Sequence, residues 1–299
     1  MSRMGLGLMS LIGILALMWS APVSAQGKCD LVIDTSATSW TLVYDPLQDQ
    51  GATREFDLIL RNGGSTPCNL FSQVELIADS FGLSRDGGIE RLDYVLVDEH
   101  ANRDISPRAG VSPARGGRPF QLAAGEQGLM RFSFQISPNH IPLSGSYSQD
   151  VMINLLDATG RVERQKQISL VADVIATALI GLKGEFQRTG TTAVIDLGAL
   201  TEGPRSLLTT LYVQSSAGYM VTVTSENLGQ MRQGTTAWYI PYSLAIGDQV
   251  VSLDTPGQLL EQSTRPRFDN YPLSINIGPT TGKRAGNYRD TLTFTVAAI

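Results

Sequence analysis

Ala285-Gly286-Asn287-Tyr288-Arg289-Asp290, running into Thr291-Leu292-Thr293-Phe294-Thr295-Val296, is the stretch on which the reading of the fold turns. Leu292, Phe294 and Val296 alternate with threonines, the period-two pattern of a half-buried strand, expected here to begin at Tyr288. Ser144-Gly145-Ser146-Tyr147-Ser148-Gln149-Asp150 carries the same signature and leads into Val151-Met152-Ile153-Asn154-Leu155. Each copy is Gly-x-Tyr, then an aspartate, then a strand, with one extra residue between Tyr and Asp in the first. A tyrosine placed so in an immunoglobulin-like sandwich buries its ring and bonds nearby backbone through its hydroxyl, so Tyr147 and Tyr288 are tyrosine-corner candidates. The copies lie about 140 residues apart, one domain length. The expectation is an all-β chain of two immunoglobulin-like β-sandwiches, divided near Ala176.

Working outward, the same alternation recurs. Phe132, Phe134 and Ile136 alternate with Arg131, Ser133 and Gln135, and Trp238, Ile240, Tyr242, Leu244 and Ile246 share one face. Further strands are expected over 31–34, 40–44, 55–61, 70–78, 92–98, 168–174, 194–197, 207–214 and 219–224. Asn62-Gly63-Gly64, Asp86-Gly87-Gly88, Thr159-Gly160 and Ile246-Gly247-Asp248 supply turns between strands. Many short strands without strand–helix alternation point to sandwiches. No Pro/Ser linker separates the halves, and the junction is expected to be short and stiff.

The N-terminus sets the compartment. Arg3 precedes an uncharged apolar run from Met4 to Trp19, Pro22 breaks it, and Val23-Ser24-Ala25 offers a small-x-small cleavage site. Residues 1–25 are expected to be a secretory signal peptide. Cleavage leaves 274 residues and, with Arg3 gone, moves the net charge from −5 to −6. A mildly acidic chain without a Lys/Arg block is a poor nucleic-acid binder. Cys29 and Cys68 are the only cysteines, and in an exported chain an even pair reads as one disulfide. The chain-entropy model gives such a bridge up to about 4 kcal/mol. A zinc site is disfavoured because the only histidines, His100 and His140, lack ligand spacing.

The C-terminal half resembles a known family. Tyr219-Met220-Val221-Thr222-Val223-Thr224-Ser225-Glu226-Asn227-Leu228-Gly229, then Ile240-Pro241-Tyr242-Ser243-Leu244, then the closing Gly286-Asn287-Tyr288 segment are similar to the spore coat protein U domain, the fold of subunits of archaic chaperone–usher pili. The resemblance covers Thr177–Ile299; the first half matches more loosely, through Cys29, Cys68 and Gly145-x-Tyr147. The absence of cysteine from the second half departs from the family's shaft subunits. The resemblance implies residues 26–175 as an adhesin-like sandwich and 176–299 as a pilin-type sandwich lacking its last strand. A periplasmic chaperone supplies that strand first, and a neighbouring subunit replaces it at the outer-membrane usher, by β-strand addition to an open edge. Leu292, Phe294 and Val296 are then the groove that receives it, and the two-domain layout is that of a tip subunit at the end of a surface pilus.

Little supports catalysis. The sequence holds no Gly-x-Ser-x-Gly elbow and no phosphate loop. Asp45, Asp98, Glu99 and Asp104 could pair as acid and base, but acids near strand ends are ordinarily solvated turn residues. No cofactor or metal is expected. Two long loops offer a contact surface: 79–91, with Phe81 and Leu83, and 105–125, with Arg108, Arg115 and Arg118 and no acid. These are candidates for meeting a glycan or an abiotic surface. The alternative function is a free periplasmic or secreted binding sandwich outside any pilus.

Overall fold

The computed structural model describes residues 28–48, 50–78, 80–86, 88–137 and 140–299. The expected signal peptide lies outside them. Among the described residues there is no helix, and none therefore long and apolar enough to cross a membrane.

The first twelve strands are β1 (Leu31–Ile33), β2 (Ser39–Tyr44), β3 (Ala52–Asn62), β4 (Cys68–Leu76), β5 (Leu83–Ser84) and β6 (Arg91–Leu92), followed by β7 (Val95–Asp98), β8 (Arg103–Asp104), β9 (Phe120–Leu122), β10 (Gln127–Ile136), β11 (Gly145–Leu156) and β12 (Val162–Val174). They form two sheets, β1-β3-β10-β7-β8 and β2-β12-β11-β4-β9, with β5 and β6 beside β11. Trp40 anchors the core between them, stacked on Phe56 at 5.1 Å and close to Phe132 at 5.5 Å. Phe132, Phe134 and Ile136 all point into this core, as their alternation predicts. Edge strand β2 pairs parallel to β12 and buries Trp40, Leu42 and Tyr44 completely, so this sandwich is sealed along that side. Cys29 and Cys68 are disulfide-bonded. Beside them the buried Asn62 side chain accepts from Gly64 and Asp30 and donates to the carbonyls of Thr66, Leu122 and Ala123, tying three loops together.

The remaining strands are β13 (Ala178–Gly184), β14 (Gln187–Thr189), β15 (Thr192–Val194), β16 (Gly203–Ser215), β17 (Tyr219–Ser225) and β18 (Gln230–Gln233), then β19 (Tyr239–Ile246), β20 (Gln249–Val251), β21 (Gly257–Glu261), β22 (Arg267–Ile277), β23 (Tyr288–Arg289) and β24 (Leu292–Ala298). The larger sheet runs β13-β16-β22-β19-β18-β23, with β20 on β19; the smaller is β21-β17-β24; β14 and β15 form a hairpin. A second core fills the space between them, around Val213, Tyr219, Val221, Val223 and Ile277. Tyr219 crosses between the sheets, donating to Asp269 at 2.6 Å and meeting the Tyr271 hydroxyl at 2.6 Å. Burial pushes the Tyr219 hydroxyl pKa up, reinforced by Asp269. Burial alone would raise the Asp269 carboxyl as well, but hydrogen bonds from Arg267 and Tyr219 hold it below its ordinary value.

No sheet takes strands from both sandwiches. Three residues connect β12 to β13, and two buried serines fasten them. Ser215 Oγ donates to Thr177 O and Ser216 Oγ to Ile175 O, each at 3.0 Å, while the Ser144 amide donates to Ser216 O at 2.9 Å.

The structure corrects several expectations. Trp238 precedes its strand and stands out in solvent rather than on the buried face of Ile240, Leu244 and Ile246. Asp98 is not a solvated turn residue; it is buried, accepting from Ser72 Oγ and from the Ala101 amide at 3.0 Å. The closing strand is not continuous from Tyr288. The chain leaves the larger sheet after Arg289 and joins the smaller one at Leu292.

Candidate functional site

The second sandwich is open along one side. β24 pairs only with β17, and its register sets Leu292 opposite Ser225, Phe294 opposite Val223 and Val296 opposite Val221. Directly opposed residues share a face, and Val221 and Val223 are buried, so Leu292, Phe294 and Val296 point inward. They are nevertheless only half-buried. The opposite wall is β13, the edge of the larger sheet. Ile180 lies opposite Val213 and Leu182 opposite Leu211, both buried, yet Ala178, Ile180 and Leu182 are half-buried as well. The two edge strands come within 8 Å at Cα but share no ladder. Two inward apolar rows thus line one unsealed seam, with an unpaired strand edge on each side. In the first sandwich β2 occupies an edge and is sealed. Unpaired, apolar edges of this kind recruit another strand.

Asp290 holds the seam's lower wall in place. Its carboxylate accepts from Ser225 Oγ at 2.5 Å, Tyr242 OH at 2.6 Å, Asn227 Nδ2 at 2.9 Å, and the amides of Asn227 and Thr291 at 3.0 and 2.8 Å. These bonds fix the point where the chain changes sheets and so aim β24 along β17. Burial, then Asp290, pushes the Tyr242 hydroxyl pKa up. Asp150, the aspartate of the other copy, does nothing comparable: it lies exposed on β11, with Gln167 Nε2 at 3.4 Å. The tyrosines do correspond. Tyr147 OH donates to Leu143 O at 3.0 Å and Tyr288 OH to Arg284 O at 2.7 Å, each four residues back. Gly145 and Gly286 precede them with φ of 137° and 150°, a backbone that side-chain-bearing residues rarely adopt.

The surface-contact candidates do not converge. Leu83 is fully buried, because β5 pairs with β11 and the alternation turns Leu83 into the core. Phe81 packs on Tyr94 at 4.8 Å and is a core-edge residue. Arg108 lies over the Phe81 ring and pairs with Asp104 at 3.1 Å. Arg115 lies 3.7 Å over Phe71 and donates to Asp157 O, pinning the loop to the sheet. Arg118 alone is exposed with no ion pair among the described residues. Sequence reasoning missed the β13 wall. Its signal was the alternation Ala178-x-Ile180-x-Leu182, masked by Gly181 and by the strand just before it. Gly181 leaves room for the Tyr212 ring lying across β13; a Cβ there would fall 2.4 Å from it and displace the ring.

The architecture has a solved counterpart. A chain in the crystal structure of the CsuC–CsuE chaperone–tip adhesion subunit pre-assembly complex, from archaic chaperone–usher Csu pili of Acinetobacter baumannii, is similar over 89% of this chain and 99% of that one, at 15% identity and TM-score 0.50. The CooA pilin subunit of enterotoxigenic Escherichia coli is similar over 49% of this chain and 98% of its own, at 16% identity and TM-score 0.34. The CFA/I adhesin CfaE of enterotoxigenic E. coli is similar over 89% and 94%, at 9% identity and TM-score 0.33. The likeness to the Csu chain is one of fold, an all-β pair of immunoglobulin-like sandwiches. No protein-family model matches the chain, and no curated protein is similar to it in sequence.

Proposed function

We propose that the protein is a non-catalytic subunit of a chaperone–usher surface pilus, exported through the periplasm, that accepts a donor strand in its second sandwich. The observation that carries this is the seam between β13 and β24, with its six half-buried inward residues, beside a first sandwich sealed by its own strands. At about 25 cal/mol per Å² of apolar surface, a strand that parts the two edges to about twice the spacing of paired strands and fills the seam recovers burial that this chain leaves unused. The solved counterpart, which comes from a chaperone–tip adhesion subunit complex of an archaic system, supports the same reading. The strand donors are a periplasmic chaperone and then a neighbouring subunit, exchanged at an outer-membrane usher.

The two-sandwich layout favours the tip position. Adhesion to a glycan or an abiotic surface would fall to the first sandwich.

The test is periplasmic production of the full chain with and without a cognate chaperone, and with a donor peptide fused after Ile299. The expected outcome is degradation or aggregation alone, and soluble, protease-resistant protein in both rescued forms. A monomeric chain that folds cooperatively with no donor is instead a free binding module, and the pilus reading falls.

A further inference from the structure

The two ends of the seam have different surroundings. β24 runs from Leu292, opposite Ser225, to Ala298, opposite Tyr219. The Ala298 end lies beside the junction, where Thr177 enters and Ser144 of the first sandwich bonds Ser216, whereas the Leu292 end lies away from it. A protein lending a strand in line from the Leu292 end has its body beyond that end.

That far end is cationic. Arg232 on β18 lies directly between Tyr239 on β19 and Arg289 on β23. Their neighbours Met231 and Ile240 are buried, so this row faces outward. Like charges directly opposite one another destabilise a sheet, and among the described residues no carboxylate forms an ion pair with either arginine. Arg232 is held ready, donating to Thr236 O and Thr235 O at 2.9 Å over the Tyr239 ring. Gln233 Nε2 on Ala285 O and Tyr288 OH on Arg284 O draw the exposed Lys283 and Arg284 to the same corner. Asp290 is turned inward and occupied, which leaves exposed Glu226 and, next to the Leu253–Gly229 contact, exposed Asp254 as the acids near four cationic side chains. This is a local excess of positive charge in a chain of net charge −5. In the first sandwich, by contrast, Arg61, Arg131 and Arg164 each meet a carboxylate. Two apolar side chains stand out beside the cations, Trp238 and Leu228, and Leu228 holds φ of 55°, which a leucine seldom adopts. Exposed tryptophan and arginine together are the residue types that carry protein interfaces.

We propose that this pole is the docking face for the body of the neighbouring subunit, which meets it with an acidic surface. The proposal rests on the strand-acceptor reading above. Charge of this kind acts chiefly on the rate and orientation of encounter.

The full chain, in the form isolated from the periplasm, is offered a strand peptide with alternate apolar residues. The peptide is bare, or carries four glutamates or four lysines at one end or the other. One of the two glutamate peptides, the one whose tail emerges beside Arg289, should be taken up about tenfold faster than the bare peptide at low salt. The advantage should vanish near 0.5 M salt and in Arg284→Glu/Arg289→Glu, be intermediate in Arg284→Gln/Arg289→Gln, and reverse for the lysine peptide. Bare-peptide uptake should be the same in wild type and both variants, which excludes a folding defect. Equal uptake of bare and glutamate peptides overturns the proposal. Equally fast capture of a glutamate peptide with a scrambled strand overturns it too, marking a general polyanion site. Uptake of no peptide at all removes the strand-acceptor reading and this proposal with it.

Discussion

Tyr147 and Tyr288 make the same hydrogen bond to the carbonyl four residues back, but in unequal surroundings. Tyr147 is buried in the first core, whereas Tyr288 is half-buried beside the changeover at Asp290. Truncating a fully buried aromatic costs about 3–5 kcal/mol, so Tyr147→Ala should lower the stability of the first sandwich by that amount. Tyr288→Ala, with less ring surface to lose, should cost the second sandwich about half as much. Tyr→Phe at either position should cost about 1 kcal/mol, the net worth of one hydrogen bond. Thermal melting of the four variants checks this, and wild-type melting of Tyr147→Ala would remove its role as a corner. Both tyrosines were legible in the sequence because the Gly-x-Tyr signal is local. The aspartates that follow were not distinguishable: Asp290 gathers five donors and Asp150 one, and only the sheet change at Asp290 makes the difference.

At the scale of elements, the seam between β13 and β24 makes a demand on any incoming strand. Side chains alternate across a strand, so only every second residue of the donor reaches the apolar rows. Shifting the donor's apolar pattern by one residue turns all of it outward and should abolish rescue. Phe294→Asp should abolish rescue as well, by placing a carboxylate where the filled seam excludes water. Soluble, protease-resistant protein from either change would show that the donor does not lie in this seam. The most central strand missed by sequence reasoning was β22. Pro272 in Arg267–Ile277 argues against a central strand, because proline cannot donate to a ladder. The structure places it where the register with β16 shifts, between Ser206 and Thr210. The interrupted ladder there tolerates the missing N–H, and nothing near Pro272 in the sequence announces a bulge in a strand some sixty residues earlier.

For the whole molecule, the two sandwiches have separate cores and a single disulfide, confined to the first. Reducing that bond should destabilise the first sandwich by about 2–4 kcal/mol and leave the melting of the second unchanged. Calorimetry of the donor-filled chain with and without reductant tests this, and a shift of both transitions would show that the cores are coupled. The sequence by itself determined the all-β class, the tyrosine repeat, the cysteine pair and the inward row Leu292–Phe294–Val296. All of these rest on local periodicity, or on a choice with one partner available. The tertiary structure alone decided that Ala178, Ile180 and Leu182 form the facing wall, and that Leu83 points inward. It also decided that Arg108 and Arg115 are tied down in the first sandwich while Arg232, Lys283, Arg284 and Arg289 gather at one pole, with no ion pair to any of them among the described residues. Strand order and register bring together residues far apart in the chain, and a one-residue change of register reverses which face each side chain meets. Which edges stay open, and which charges find partners, is therefore settled by long-range pairing that local sequence does not encode.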